Sequence, residues 1–180
     1  MTTEKARVYA TKAHEGQVRK STGNPMIEHP IRVAQQLKEA GFSEAVQMAG
    51  YLHDTVEDTW VTFEDIEREF GKEVLEIVKG NTEDKEKSWE ERKQHTIDSI
   101  KDASLDIKAL IVADKYDNLT SLVEDYEKVG EKVWDVFKRG KEKQKWYFSS
   151  VATNAYIGLS PNEIPVFFHD YQQLVKEFFN

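Results

Sequence analysis

The sequence predicts an all-α protein, and three observations carry that prediction. Apolar residues recur at helical spacing along most of the chain. Side-chain caps and glycines punctuate the apolar runs. No apolar–polar alternation lasts longer than three or four residues, so strands have little support.

Each element follows from those signals. A first amphipathic helix is expected from Thr3 to His14, with Ala6, Tyr9, Ala10 and Ala13 facing inward. A polar loop from Gly16 to Asn24 comes next and is closed by Pro25. The second helix runs through Ile27, Ile31, Ala34 and Leu37 to Ala40, where Gly41 supplies the stop. Ser43 opens a helix whose apolar run, Ala45 to Leu52, delivers His53-Asp54. Thr62-Phe63-Glu64-Asp65 reads as a capping box with Asp in place of Glu, and the short helix it starts ends at Gly71. Gly80 to Lys87 reads as a charged surface loop. Ser88-Trp89-Glu90-Glu91 caps a helix to about Asp102. Ser104 begins the most apolar helix, through Ile107, Leu110, Ile111, Ala113, Leu119 and Leu122. Another helix is expected from Glu131 to Tyr156, with Gly140 as its weak point, and Pro161 introduces a last one ending in Phe178-Phe179.

Composition narrows the functional classes. With 180 residues and 39% apolar content the chain can bury one core, and no compositional shift divides it, so a single domain over 1–180 is expected. There is no cysteine, which excludes both a disulfide framework and a thiolate metal site. The N-terminus lacks the apolar segment of a signal peptide and no run reaches membrane-spanning length, so a cytoplasmic protein is the expectation. A net charge of −8 argues against general nucleic-acid binding, which needs a basic face. Local basic clusters survive at Arg19-Lys20 and from Lys138 to Lys145, and they leave room for a small phosphorylated ligand. The aromatic pairs Phe167-Phe168 and Phe178-Phe179 suggest a packing or dimer surface; nothing else speaks for a homo-oligomer. The four tryptophans read as core or interface residues, and His95 and His169 as surface.

The most informative stretch is His53-Asp54-Thr55-Val56-Glu57-Asp58-Thr59. A His-Asp pair directly after an apolar run sits near a buried face, where an uncompensated charge is costly, and a divalent metal is one way to compensate it. His53 and Glu57 are four residues apart, as are Asp54 and Asp58, so helical geometry predicts that each pair shares a face one turn apart. The other reading is a solvated acidic helix end. His29 and Asp114 stand in similar contexts: His29 opens an apolar helix, and Asp114 follows Leu110-Ile111-Val112-Ala113. Alone, His29 reads more readily as an ordinary helix-start histidine than as a ligand, and Asp114 reads equally as a ligand or as a capped or salt-bridged acid. Two imidazoles and two carboxylates together would suit manganese or iron, with zinc also acceptable.

In order, His29, His53-Asp54 and Asp114 resemble the H…HD…D signature of the HD superfamily of metal-dependent phosphohydrolases. Flanking blocks are similar to the RelA/SpoT-type hydrolase domain: Ala13-His14-Glu15-Gly16-Gln17-Val18-Arg19-Lys20, Glu28-His29-Pro30, Leu52 to Thr59, Asn81-Thr82-Glu83, Arg92-Lys93-Gln94 and Ala113 to Leu119. The likeness spans about 3–155, and in layout it is closest to the small stand-alone hydrolases of that group. It implies a multi-helix HD bundle with one metal site. It also implies release of the 3′-pyrophosphate from ppGpp and pppGpp. On this resemblance His29, His53, Asp54 and Asp114 bind one Mn²⁺, and Glu57 and Asp58 are the acidic pair that handles the proton beside it. Asn118 lies near the ribose, Arg19 and Lys20 contact the guanine and phosphates, and Tyr147 walls the nucleotide pocket. The alternatives are an HD phosphohydrolase of another 3′-phosphorylated nucleotide and a non-catalytic nucleotide sensor. Two departures stand out. Met26 occupies a position that is usually Tyr, which implies altered packing behind His29, and the loop Lys20 to Gly23 is slightly longer than in some relatives.

Overall fold

The computed structural model of the chain describes residues 2–180. The all-α expectation is borne out: among the described residues, ten α-helices and two short 3₁₀ segments account for the regular structure, and the single strand-like feature is the bridge between Val18 and Pro25. The α-helices are α1 (Thr3–Ala13), α2 (Glu28–Glu39), α3 (Glu44–Leu52), α4 (Thr55–Asp58), α5 (Phe63–Phe70), α6 (Lys72–Gly80), α7 (Trp89–Asp102), α8 (Leu105–Val129), α9 (Gly140–Asn154) and α10 (Val166–Phe179).

Local chemistry starts them where the sequence expects. Thr2, Ser43 and Ser104 accept backbone N–H groups at the heads of α1, α3 and α8. Reciprocal capping boxes at Thr62/Asp65 and Ser88/Glu91 start α5 and α7. The long α8 is the axis of the molecule: Ala109, Leu110, Ile111 and Val112 are fully buried, and α2, α3, α6, α7, α9 and α10 all pack on it. α2 and α3 also pack closely on each other, and Gly50 permits this. A Cβ there would lie 3.0 Å from the Ala34 backbone.

Several expectations need correction. The apolar run does not carry a continuous helix through His53-Asp54. It stops at Leu52, because His53 Nδ1 donates to the Gly50 carbonyl (2.7 Å) and Thr55 Oγ1 to that of Leu52 (2.7 Å). α4 then restarts after Asp54. Residues 72–80 form a separate helix, because Gly71 adopts φ 90° and turns the chain. The stretch 131–156 is not one helix. Gly130 and Gly140, both at positive φ, flank a 3₁₀ segment over Gly130–Val136, and α9 begins only at Gly140. Pro161 starts a 3₁₀ turn, and the last helix follows Pro165. The C-terminal aromatics are packing residues: Phe167, Phe168 and Phe179 are buried, and Phe178 packs on Trp134 and Tyr126. Trp60 is not a core residue: it is 60% exposed, with its ring 5.9 Å from that of Tyr9.

Candidate metal centre and nucleotide cleft

Where α2, α3 and α8 meet, four side chains from distant parts of the chain converge. His29 comes from the first turn of α2, His53 and Asp54 from the break after α3, and Asp114 from the middle of α8. The Nε2 atoms of His29 and His53 lie 3.2 Å apart. Asp114 Oδ1 is 3.0 Å from His29 Nε2 and 3.4 Å from His53 Nε2. Asp54 Oδ2 is 3.6 and 3.2 Å from the same two atoms. Ligand bonds of about 2.1 Å place neighbouring donors roughly 3.0–3.4 Å apart, so these edges fit a coordination polyhedron of ordinary size.

The outward nitrogens explain why the inner ones face each other. A carbonyl only accepts, so His53 Nδ1 carries the hydrogen it gives to Gly50, and His29 Nδ1 is 2.6 Å from Asp117 Oδ2. Both imidazoles then present Nε2 to the cluster, as a lone pair or a positive N–H. Burial disfavours that charge, but Asp54 and Asp114 outweigh it and raise the His53 pKa well above its usual value. The hydrogen bonds His29 donates to Asp114 and Asp117 likewise raise its pKa against its burial. Burial opposes ionisation of the carboxyls too. Lys115 and His53 nevertheless hold Asp114 well below the usual range, and His53 and His29 lower Asp54 to about 2. The HD domain implies a divalent metal, and the donor atoms of His29, His53 and Asp114 lie close enough together to hold one.

Beside the cluster, the carboxylate oxygens of Asp54, Glu57 and Asp58 lie within 4.8 Å of one another. Glu57 is half-buried and accepts the backbone N–H of Glu83; burial first, and the negative neighbours Asp54 and Glu83, push its pKa up to about 7. Asp58 is exposed and paired with Lys85 at 2.8 Å.

A cleft of about 750 Å³ opens alongside, and a smaller pocket over the cluster shares with it Arg19, Met26, Lys93, Lys115 and Asn118. Arg19 is held against Asn118 (Nη2 to Oδ1, 3.2 Å), and Asn118 donates to Asp114 (3.1 Å). Lys20 is exposed at the rim. Tyr147 is a buried wall: its ring lies under the ammonium groups of Lys93 (5.0 Å) and Lys115 (5.5 Å), and its hydroxyl has no hydrogen-bond partner among the described residues. The structure thus brings together His29, His53, Asp54, Asp114, Glu57, Arg19, Asn118 and Tyr147, with Asp58 and Lys20 further out. The basic run after Lys138 lies mostly elsewhere. Arg139 pairs with Glu90 at 2.8 Å, and Lys141 and Lys143 sit over Trp134 and Trp146.

Other residues in the site had no role assigned from sequence. The loop expected at the surface enters the centre, with Asn81 donating to Asp114 (3.3 Å) and Glu83 gripping Lys93 (2.8 Å). Lys115 bridges to Asp114 at 2.8 Å. All four lie in the blocks that carry the resemblance, which was the available signal. Met26 faces the cleft instead of merely packing behind His29.

Comparison with known proteins matches residues 6–140 to the HD domain. A guanosine-3′,5′-bis(diphosphate) 3′-pyrophosphohydrolase of Danio rerio is 40% identical over 117 residues, 63% of this chain and 65% of that protein. A crystal structure of a Listeria monocytogenes EGD-e protein superimposes with a TM-score of 0.81 at 52% identity, covering 84% of this chain and 98% of that one. A metazoan orthologue of SpoT, described as hydrolysing ppGpp and playing a role in starvation responses, gives a TM-score of 0.82 at 27% identity over 99% of this chain and 96% of its own. Among the curated relatives, the chain spans less than two thirds of the length of each of the first matched, from 10% to 65%.

Proposed function

The chain belongs to the HD-domain family, and on that premise we propose that it is a metal-dependent phosphohydrolase that removes the 3′-pyrophosphate of ppGpp and pppGpp. The observation that carries this reading is the junction of the two-His, two-Asp cluster with a cleft lined by Arg19, Lys93 and Lys115, in a chain of net charge −8. The activities stated for the Danio rerio and metazoan relatives support it.

In this reading His29, His53, Asp54 and Asp114 hold one Mn²⁺, a metal suited to a mixed imidazole–carboxylate set. Such an ion acidifies water and draws charge from a phosphoryl group. Hydrolysis breaks the bond between the 3′ oxygen and its phosphorus, adds the oxygen of water to phosphorus and returns a proton to the 3′ oxygen. Glu57 and Asp58 move that proton: a carboxyl with a pKa near 7 can both take and give one at neutral pH. Arg19 and Lys20 engage base and phosphates, Asn118 orients the sugar end, and Tyr147 closes the wall. The reading places the protein in the cytoplasm, with a small nucleotide as partner and neither nucleic acid nor membrane.

The test is product analysis of purified protein given ppGpp with Mn²⁺ and, separately, with a chelator. Metal-dependent release of GDP and pyrophosphate is the expected result. An unchanged substrate with metal demonstrably bound would remove ppGpp as the substrate and point to another 3′-phosphorylated nucleotide.

A further inference from the structure

We propose that Asp125 reads the base edge of the bound nucleotide and makes this site selective for guanine over adenine. The inference rests on the nucleotide pyrophosphohydrolase reading above and adds to it the residue that chooses the base.

Asp114, Asn118, Ser121 and Asp125 recur at three- and four-residue spacing, so one face of α8 runs from the metal centre along the cleft. At 1.5 Å per residue, Asp125 lies about 16 Å along the helix from Asp114. The two ends differ in chemistry. The cluster end presents Lys93 and Lys115, which suit phosphates. The far end presents Leu122, Val133 and Phe137, which suit the flat apolar face of a base, and Arg19 stands at the cleft wall as a planar cation able to stack on it. A nucleotide laid with its reacting phosphate on the metal therefore carries its base toward Asp125.

Asp125 is half-buried there, and no described side chain or backbone N–H donates to its carboxylate or pairs with it. An ionised carboxylate only accepts hydrogen bonds. Guanine offers two adjacent donors, N1–H and the N2 amino group, which match a carboxylate's two oxygens. Adenine offers a lone pair at N1 in the same place and no group at C2, so the contact would be repulsive. A site built around a donor pair rejects the analogue that lacks it strongly, because its own polar group is left unpaired. The other carboxylate lining this cleft, that of Asp58, is already paired with Lys85.

The experiment compares kcat/KM for ppGpp and ppApp in the wild type and in Asp125→Asn and Asp125→Ala, with Mn²⁺ present. Calorimetric titration of GDP and ADP into the same three proteins accompanies it. The expected result is a wild-type preference for the guanine nucleotide that falls at least tenfold in both variants. A wild type that hydrolyses both nucleotides equally, or a preference unchanged in the variants, overturns the role of Asp125 and leaves the hydrolase reading standing. A metal-loaded wild type that hydrolyses neither removes the hydrolase reading, and the calorimetry then decides Asp125 alone. GDP preferred over ADP in the wild type but not in the variants supports it, and equal affinities in the wild type overturn it.

Discussion

His29 and Asp117 are joined by a 2.6 Å hydrogen bond from the histidine Nδ1 to the aspartate Oδ2, and Arg32 clamps the same carboxylate with Nε at 2.8 Å and Nη2 at 3.1 Å. This exposed-to-buried chain fixes which nitrogen of His29 carries the hydrogen and aims the other at Asp114 and His53. Asp117→Ala should weaken divalent-metal binding by about 10–100-fold, the usual cost of losing such an orienting partner, as read by competition with a chromophoric chelator. Unaltered affinity would mean that packing alone holds the ring.

Asp54 and Asp114 supply the negative charge that makes two inward-facing imidazoles tolerable. Asp54→Ala is expected to abolish bound metal and to lower turnover by roughly a thousandfold or more, since several kcal/mol of charge stabilisation go with the ion. Elemental analysis reads the bound metal, and circular dichroism of the same sample separates this outcome from misfolding. Near-wild-type activity with metal supplied would sink the four-ligand centre.

Glu57 makes the stability of the metal-free protein depend on pH. Its carboxyl has a folded pKa near 7 against an ordinary value of 4.5, with burial as the leading cause. The folded state therefore favours the protonated form. Below pH 4.5 the group is neutral in both states and costs nothing; from 4.5 to 7 stability falls as pH rises, by about 3 kcal/mol at most. Glu57→Gln should flatten that slope in denaturation measured without metal, and it should reduce turnover by at least about a hundredfold if the proton role holds. A slope the same in both proteins would show that Glu57 ionises normally.

Gly50 sits where α3, which leads into His53, packs on α2, which carries His29. Its replacement by Ala places a Cβ 3.0 Å from the Ala34 Cα and 3.1 Å from Leu37 Cδ1. Helix propensity favours the change by about 1 kcal/mol, but a backbone contact that tight cannot relax without moving α2 from α3. Gly50→Ala should lower stability by about 1–3 kcal/mol and weaken metal binding too, because the His29–His53 spacing is set at this crossing. Thermal melts with and without Mn²⁺ check both effects; an unchanged metal-induced shift would confine the strain to the core.

The sequence by itself determined what depends on neighbours along the chain. Ser43, Thr62, Ser88 and Ser104 mark helix starts because a cap needs only a side-chain oxygen within three residues of a free N–H. Apolar spacing fixed which face of each helix is buried, and the ordered His29, His53-Asp54 and Asp114 pattern pointed to the family. The break at His53-Asp54 escaped periodicity, because competing side-chain bonds to the Gly50 and Leu52 carbonyls decide it. So did the entry of the Asn81–Glu83 loop, because charges that look solvated in sequence find their partners on α7 and α8. Only the tertiary structure brought Asp54 and Asp114 within 3.0–3.6 Å of the facing nitrogens of His29 and His53 and put Asp117 behind His29. It also raised the Glu57 pKa by burial and left Asp125 with no partner among the described residues at the far end of the cleft. Helical periodicity records which side of an element is buried. Distances between elements come from how closely their backbones pack, and here that is set by contacts such as Gly50 on Ala34, between residues far apart in the chain.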